Sequence, residues 1–176
     1  MKWIALFALV VCCYLLPCEQ ARIPPHKSKE PSNSPGLDSP HPRQRINALA
    51  RAAQQFDNGT DTTRLIQNPE NYNNNQMAAE QVCCLHVNIL NFYLTRVLRT
   101  SEEQYPHKES VTQDLHRISE DLKSCVNTPM IIKMKFHSIL HKFKEDFEKL
   151  GERGNNKAIG ELDILFEYLT RFCRKN

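Results

Sequence analysis

The stretch MIIKMKFHSILHKFKEDFEKL, residues 130–150, decides the fold class. Its large apolar residues recur at alternating steps of four and three, at Phe136, Leu140, Phe143, Phe147 and Leu150. This spacing places the apolar side chains along one side of an α-helix and the charged side chains on the others. Such a helix is stable where its apolar side packs against other helices, so we expect residues 130–150 to belong to a helical bundle.

The same periodicity recurs in other parts of the chain, which predicts further helices over residues 43–56, 77–98, 109–125 and 156–172. Prolines at positions 69, 106 and 129 fall between these segments and mark connections, because proline interrupts a helix. Glycines at positions 151 and 154 separate the last two helices. No stretch alternates apolar and polar residues as a half-buried strand would. The sequence therefore predicts a compact all-α bundle.

One irregular link, from Asp57 to Gln76, joins the first two predicted helices. A link of this length without regular structure is more often a functional loop than a passive connection. It contains Asn58-Gly59-Thr60, an acceptor tripeptide for N-glycosylation at Asn58. A glycan requires an exposed site in a secreted protein, so we expect this link to lie on the surface.

The chain begins with the positively charged Met1-Lys2-Trp3 and continues with an apolar run from Ile4 to Leu16. This pattern is typical of a secretory signal peptide, which we assign to residues 1–21, with cleavage after Cys18 as the alternative. A transmembrane anchor is the competing interpretation, but the run is shorter than the roughly 20 residues that a bilayer requires. We therefore expect a secreted, extracellular protein.

Residues 22–42 hold six of the ten prolines of the chain, with lysine, serine and asparagine between them. A segment of this composition buries too little apolar surface to order itself. We therefore divide the mature chain into a flexible N-terminal arm over residues 22–42 and a helical domain over residues 43–176.

Four cysteines remain beyond the leader: Cys83, Cys84, Cys125 and Cys173. An even number in an oxidising compartment predicts two disulfides. Adjacent residues of a helix point about 100° apart, so Cys83 and Cys84 face different partners. Two pairings remain, and we favour Cys83–Cys173 with Cys84–Cys125 over the crossed arrangement. The bonds would tie the second predicted helix to the third and to the last.

The chain carries no catalytic or cofactor-binding motif such as G-x-S-x-G, H-E-x-x-H, a P-loop or a dinucleotide fingerprint. Carboxylate pairs such as Glu102–Glu103 and Glu120–Asp121 fit solvated faces better than acid–base catalysis. His137 and His141 have a spacing that zinc accepts, but a solvated histidine pair is the commoner reading. The formal net charge of +3 is mild, and basic residues are not interleaved with aromatic ones as in a nucleic-acid groove. We expect no enzyme, no cofactor, no metal and no nucleic-acid partner.

Three stretches together resemble cytokines of the interleukin-10 family. KLGERGNNKAIGELDILF, residues 149–166, is similar to the last-helix signature of the family, and KAIGELD, residues 157–163, is its most specific part. DNGTDTTRLI, residues 57–66, resembles the glycosylated link of one member, with one residue more. CCLHVNILNFYLTRVL, residues 83–98, resembles the central helix, and its adjacent cysteines are similar to those of the interleukin-20 subgroup. The resemblance covers nearly all of residues 43–173.

This resemblance implies a disulfide-stapled six-helix bundle, with five long helices and a short one in the first link. It also implies class II cytokine receptor ectodomains as partners and JAK/STAT kinases downstream. A monomer would engage a high-affinity receptor chain first and the shared interleukin-10 receptor beta chain second, and a soluble decoy receptor is a further possible partner. The expected action is on epithelial and barrier tissue in immune defence.

The resemblance also assigns site residues. It places the high-affinity receptor site in the link and the last helix, at Asp57, Thr60, Asp61, Arg64, Lys157, Gly160 and Glu161. On the second, weaker receptor face only Arg45 matches clearly. The N-terminal cysteine of one family member has no counterpart in the expected mature chain, and the resemblance gives its place to Cys84.

The last predicted helix raises a physical question, because a charged stripe runs beside its core stripe. Lys157, Glu161, Ile164 and Tyr168 form this neighbouring stripe. Gly160, next to it, costs about 1 kcal/mol relative to alanine in a helix but lets another backbone come close. A plain surface ion pair worth about 0.2–0.5 kcal/mol is the simpler explanation. Together with the resemblance, recognition of a partner is the better one.

Other functions fit parts of the sequence. An interleukin-20 subgroup or interleukin-26-like cytokine is the nearest alternative. A secreted antimicrobial, membrane-binding or heparin-binding effector would instead use the proline-rich arm and the stretch HKFKEDFEK, residues 141–149. Interleukin-10 itself exchanges its last two helices in a dimer, whereas a bond from Cys83 to Cys173 would retain the final helix. We therefore predict a monomer.

Overall fold

The computed structural model describes residues 35–56, 62–72, 77–100, 105–125 and 130–174. The regular elements of these ranges are all helical, which confirms the predicted fold class. The α-helices are α1 (Pro35–Asp38), α2 (Pro40–Phe56), α3 (Ala79–Phe92), α4 (Lys108–Asp121), α5 (Met130–Lys149), α6 (Gly154–Gly160) and α7 (Leu162–Phe172). Helix α3 continues through a π-helical turn, Tyr93–Val97, into Leu98–Thr100. Within the described ranges, none of the helices is long and apolar enough to cross a membrane.

Short 3-10 helices complete the fold at Pro69–Asn71, Lys123–Cys125 and Gly151–Arg153. The first of them is the short helix expected in the link after the first long helix. It begins where the Asn68 side chain accepts a hydrogen bond from the Glu70 amide, and Pro69 supplies a preset φ at its first position.

The N-terminal arm is shorter than predicted, because residues 35–38 and 40–42 are helical and partly buried. Leu37 is 1% exposed, and Pro42 is buried in the first turn of α2. Proline suits the first turn of a helix, where amide groups have no intrahelical partner, so the prolines here begin helices. Helix α1 packs against α4 and α7, and its Asp38 pairs with Arg174 at 2.7 Å. The flexible arm predicted over residues 22–42 is therefore wrong for residues 35–42.

Helix α3 lies at the centre of the bundle and packs against α4, α5 and α7. Its buried residues include Val82, Leu85, Val87, Ile89 and Leu90. The stripe predicted for α5 also packs inward: Phe136, Phe143 and Phe147 are buried, and Leu140 and Leu150 lie partly buried against the core. Helix α2 covers α6 and α7 from the other side. The Tyr93 hydroxyl donates to the Ala158 carbonyl at 2.8 Å and joins α3 to α6.

Two disulfides tie α3 to its neighbours. Cys83 is bonded to Cys173 beyond α7, and Cys84 is bonded to Cys125 beyond α4. This is the pairing that the sequence favoured. The Sγ atoms of Cys83 and Cys125 are also only 3.9 Å apart, so the two disulfides are close neighbours in the core.

The connection between α5 and α6 depends on two glycines with different requirements. Gly151 has a φ of 56° in open space, whereas a Cβ on Gly154 would lie 2.9 Å from the carbonyl oxygen of Phe147. We expect Gly154→Ala to lower the free energy of unfolding by about 1–3 kcal/mol, because a backbone carbonyl cannot move aside without distorting α5. Urea unfolding followed by circular dichroism measures the change.

The matched control is Gly151→Asn, since asparagine tolerates a positive φ and meets nothing at that position. It should cost clearly less than Gly154→Ala. Equal losses for the two variants would show that the close approach at Gly154 does not limit packing.

Candidate functional site

The last predicted helix is divided into α6 and α7 at Glu161. The backbone of Glu161 has a φ of −103° and a ψ of 10°, and its amide donates to the Ala158 carbonyl at 3.0 Å. Hydrogen bonding resumes one turn later, where the Leu165 amide donates to the Glu161 carbonyl at 3.2 Å. The continuous helix predicted over residues 156–172 is therefore wrong at this residue. The low helix propensity of Gly160 favours the interruption.

The Glu161 carboxylate clamps the link to the end of α6. The Leu65 amide donates to its Oε1 at 3.2 Å, and the Ile66 amide donates to its Oε2 at 2.8 Å. Lys157 Nζ lies 3.8 Å from Oε1. Burial raises the pKa of Glu161, while the two amides, Lys157 and Arg64 act in the opposite direction. Glu161 is only 7% exposed, so its carboxylate oxygens bind groups within the protein.

Arg64 makes further contacts that hold the link, one within the link and one to α7. Its Nε donates to the Ile66 carbonyl at 2.9 Å, and its Nη2 donates to the Tyr168 hydroxyl at 3.2 Å. Leu65 and Ile66 point into the core, whereas Thr62, Thr63 and Arg64 are exposed. We call residues 62–66 together with Lys157, Glu161 and Tyr168 the platform. It presents a basic side chain from the link beside the junction of α6 and α7.

Gly160 faces α2 and not the surface. Its carbonyl accepts a hydrogen bond from Gln54 Nε2 at 2.6 Å, and a Cβ would lie 3.2 Å from Gln54 Cγ. The residue is buried. Gly160 therefore offers no exposed surface to a receptor, and its burial gives no support to the predicted receptor contact. Gly160 allows α2 and α6 to pack closely, which is the close approach that a missing Cβ permits.

Several predicted site residues lie outside the described ranges. They are Asp57, Thr60 and Asp61 of the link and the glycosylation acceptor Asn58. Of the predicted residues that are described, Arg64, Lys157 and Glu161 come together in the platform. Glu161 differs from its predicted role, because its carboxylate is buried and holds the link. Little of its side chain is exposed for contact with a receptor.

Arg45 belongs to a different part of the surface. From α2 its Nε donates to Asp114 Oδ2 of α4 at 3.1 Å, and its Nη2 contacts the same oxygen. Asp114 is largely buried, with Arg117 3.9 Å away. Arg45 therefore joins α2 to α4, and its side chain remains 30% exposed.

His86 is a buried polar residue that sequence reasoning missed. Its Nδ1 donates to the Val82 carbonyl at 2.7 Å, and its Nε2 lies 3.4 Å from the Tyr72 hydroxyl. The ring also packs against Tyr168 and Phe172 of α7, with centroid distances of 5.1 and 6.4 Å. Burial lowers the pKa of His86 to about 4. Its only sequence signal was its position inside the apolar run of α3.

The histidine pair on α5 is exposed, as a solvated pair would be. The rings of His137 and His141 lie 6.1 Å apart, and His141 Nδ1 is 3.3 Å from Glu145 Oε2. Among the described residues, no group of three or more metal-binding side chains comes together.

Comparisons with known proteins match the fold and most of the chain. Residues 33–173 match the family described as "Interleukin 22 IL-10-related T-cell-derived-inducible factor". Interleukin-22 of Homo sapiens is 33% identical over 138 residues, which cover 78% of this chain and 74% of that protein. Interleukin-22b of Mus musculus is 35% identical over 98 residues, or 55% of this chain and 54% of that protein.

The crystal structure of zebrafish IL-22 superposes with a TM-score of 0.64 at 25% identity and covers 82% of this chain and 99% of that one. The resemblance to interleukin-10-related cytokines is thus confirmed, and these relatives are signalling proteins and not enzymes. The chain belongs to the interleukin-22 family of interleukin-10-related cytokines.

Proposed function

We propose that the chain is a secreted cytokine that binds and bridges two class II cytokine receptor chains and triggers JAK/STAT signalling. The first chain is of the interleukin-22 receptor alpha type, and the second is of the interleukin-10 receptor beta type. Family membership and the signal-like N-terminus support this proposal. The expected targets are epithelial and barrier tissues in immune defence, and a soluble decoy receptor would use the same surface as the first chain.

The observation that carries the proposal is the attachment of the link to α6 by Glu161. The carboxylate holds the Leu65 and Ile66 amides, and Arg64 reaches Tyr168 in the same cluster of contacts. Two segments that are distant in the sequence therefore form one surface. A docking surface gains affinity when its groups are held in place before binding, because less ordering remains to be done.

The first receptor chain would contact the exposed part of the platform and the adjoining residues of the link. Arg64 and Lys157 supply positive charge there, and we propose from the family resemblance that Asp57, Thr60 and Asp61 contact the same receptor chain. Charged groups at such a surface set orientation and association rate, and arginine is frequent where the binding energy concentrates.

The second receptor chain would use a separate surface around Arg45. This arginine is held by Asp114 in the middle of α4, so α2 and α4 present one rigid face there. Separate surfaces on one compact bundle permit one molecule to bridge two receptors. We also propose that the cytokine is a monomer, because the bond from Cys83 to Cys173 retains α7 within its own chain. A glycan on Asn58 would project from the link.

Substitutions in the proposed first surface test this function. We expect Lys157→Ala and Asp61→Ala each to weaken binding to an ectodomain of the interleukin-22 receptor alpha type at least tenfold, or about 1.4 kcal/mol. Each removes a charge at a surface where the partner must be oriented. Surface plasmon resonance measures the affinity, and circular dichroism checks that the helical signal is unchanged.

Lys144→Ala, an exposed lysine of α5, is the control and should bind as wild type does. If Lys157→Ala and Asp61→Ala also bind as wild type does, the proposed surface is wrong. A response of cells that lack these receptors, or leakage from liposomes at physiological salt, would instead favour the membrane-active effector.

A further inference from the structure

A buried imidazole contacts the link through Tyr72. His86 of α3 is 0% exposed and sits between Tyr72 of the link and the rings of Tyr168 and Phe172 of α7. The Tyr72 hydroxyl donates to the Gln67 carbonyl at 3.0 Å, which closes residues 67–72 over the ring. The link is therefore attached at two points, at Glu161 by its first part and at His86 by its last.

We propose that His86 is a proton-operated latch, which keeps the link of residues 62–72 closed over α3 and α7 while its ring is neutral and favours opening of the link once its ring is charged. This inference deepens the proposed function and rests on it, since the link contributes Arg64 to the receptor platform. Opening of the link at acidic pH would then disturb the receptor platform.

The surroundings of His86 do not suit a cation. In the neutral ring, Nδ1 already donates to the Val82 carbonyl. A second proton, on Nε2, would have only the Tyr72 hydroxyl as a hydrogen-bond partner, at a long distance of 3.4 Å. The charged groups that contact the neighbouring rings are themselves cations. Arg64 donates to the Tyr168 hydroxyl, and Arg171 lies 5.2 Å above the ring of Phe172.

Glu161 is the carboxylate of the platform, but its oxygens are occupied by the amides of Leu65 and Ile66. A charge on His86 would thus be buried away from water, and the described contacts of its ring include no carboxylate that could balance it. A buried charge without a partner is strongly unfavourable, so the structure would relieve it by admitting water.

The link is the part that can open. On the other side of the ring, Cys83 of α3 is bonded to Cys173, the residue after Phe172, so a covalent bond holds α3 and α7 together one turn away from His86. The link packs on His86 through Tyr72 and has only a three-residue 3-10 helix of its own. Opening it would hydrate the ring and leave the stapled helices in place.

The size of the effect follows from proton linkage. The pKa of His86 is about 4 with the link closed, and we take the ordinary histidine value of about 6.5 with the link open and the ring hydrated. Between these values the open form binds more protons, so acid favours opening and neutral pH favours closure. From pH 7.5 to pH 5.5 the ratio of open to closed molecules rises about tenfold.

Hydrogen exchange at the amides of Leu65 and Ile66 tests the latch, because both amides are protected by Glu161 only while the link is closed. We expect their protection, corrected for the intrinsic rate, to fall about tenfold from pH 7.5 to pH 5.5. In His86→Gln and His86→Phe, which carry no titrating ring, protection should be nearly the same at both pH values. Circular dichroism at pH 7.5 checks that each variant is folded.

Glu161→Gln separates the two titrating groups, since the pKa of Glu161 is itself raised. The acid response should persist in this variant. The latch is overturned if wild type shows no acid response, if the His86 variants keep it, or if it disappears in Glu161→Gln while the Leu65 and Ile66 amides of that variant are still protected at pH 7.5. It is also overturned if the amide of Leu115 in α4 loses protection equally, which would indicate global unfolding. No receptor is present, so failure of the proposed function would leave these results unchanged.

Discussion

Replacing Cys83 and Cys173 together by alanine is expected to lower the free energy of unfolding by about 4 kcal/mol. The bond spans 90 residues, and removing it returns a large conformational freedom to the unfolded chain. Both cysteines are buried, so the variant also loses packing between α3 and the end of α7. Urea unfolding under non-reducing conditions measures the change.

The matched variant removes Cys84 and Cys125, whose bond spans 41 residues, and should cost slightly less. Single substitutions are poorer tests, because Cys83 Sγ and Cys125 Sγ are 3.9 Å apart and a freed thiol could re-pair across the core. A loss below about 1 kcal/mol for the Cys83 and Cys173 variant would show that packing alone holds α7 in place.

The helices and the core were predictable from periodicity alone. The spacing of Phe136, Phe143 and Phe147 requires a buried face whatever lies opposite, and the structure buries all three. The beginning of the bundle was not predictable in the same way. A proline-rich composition predicts disorder, yet Pro40 and Pro42 lie where a helix begins. The burial of Leu37 depends on packing against distant segments, which composition does not show.

The sequence predicted that the link and the last helix come together, but not the contacts that join them. The stripe with Lys157 and Glu161 indicated this part of the helix because those residues interrupt an apolar pattern, and their role in receptor binding stays a prediction. That Glu161 turns inward depends on the Leu65 and Ile66 amides, which are 96 and 95 residues away in the chain. His86 and Tyr72 are likewise brought together by the tertiary fold, and no local sequence pattern in either segment predicts their contact.

Glu161→Ala is expected to release the link from α6 and to weaken receptor binding about 100-fold, or about 2.7 kcal/mol. The substitution leaves two buried amides without an acceptor, each costing about 1–3 kcal/mol, and the link can avoid this cost only by opening to water. The helices keep their own hydrogen bonds, so the circular dichroism signal should not change. Hydrogen exchange at Leu65 and Ile66 and binding to an ectodomain of the interleukin-22 receptor alpha type measure the two consequences.

Glu161→Gln is the matched control for this release. It keeps one carbonyl oxygen as an acceptor but places an amide group where the second oxygen stood, so a loss of about tenfold is expected, intermediate between wild type and Glu161→Ala. Hydrogen exchange and receptor binding test two separate assumptions, namely that Glu161 holds the link and that the receptor binds at the platform. Unchanged exchange at Leu65 and Ile66 in Glu161→Ala would show that the carboxylate does not hold the link. Lost protection with unchanged affinity would show that Glu161 holds the link but that the receptor binds elsewhere.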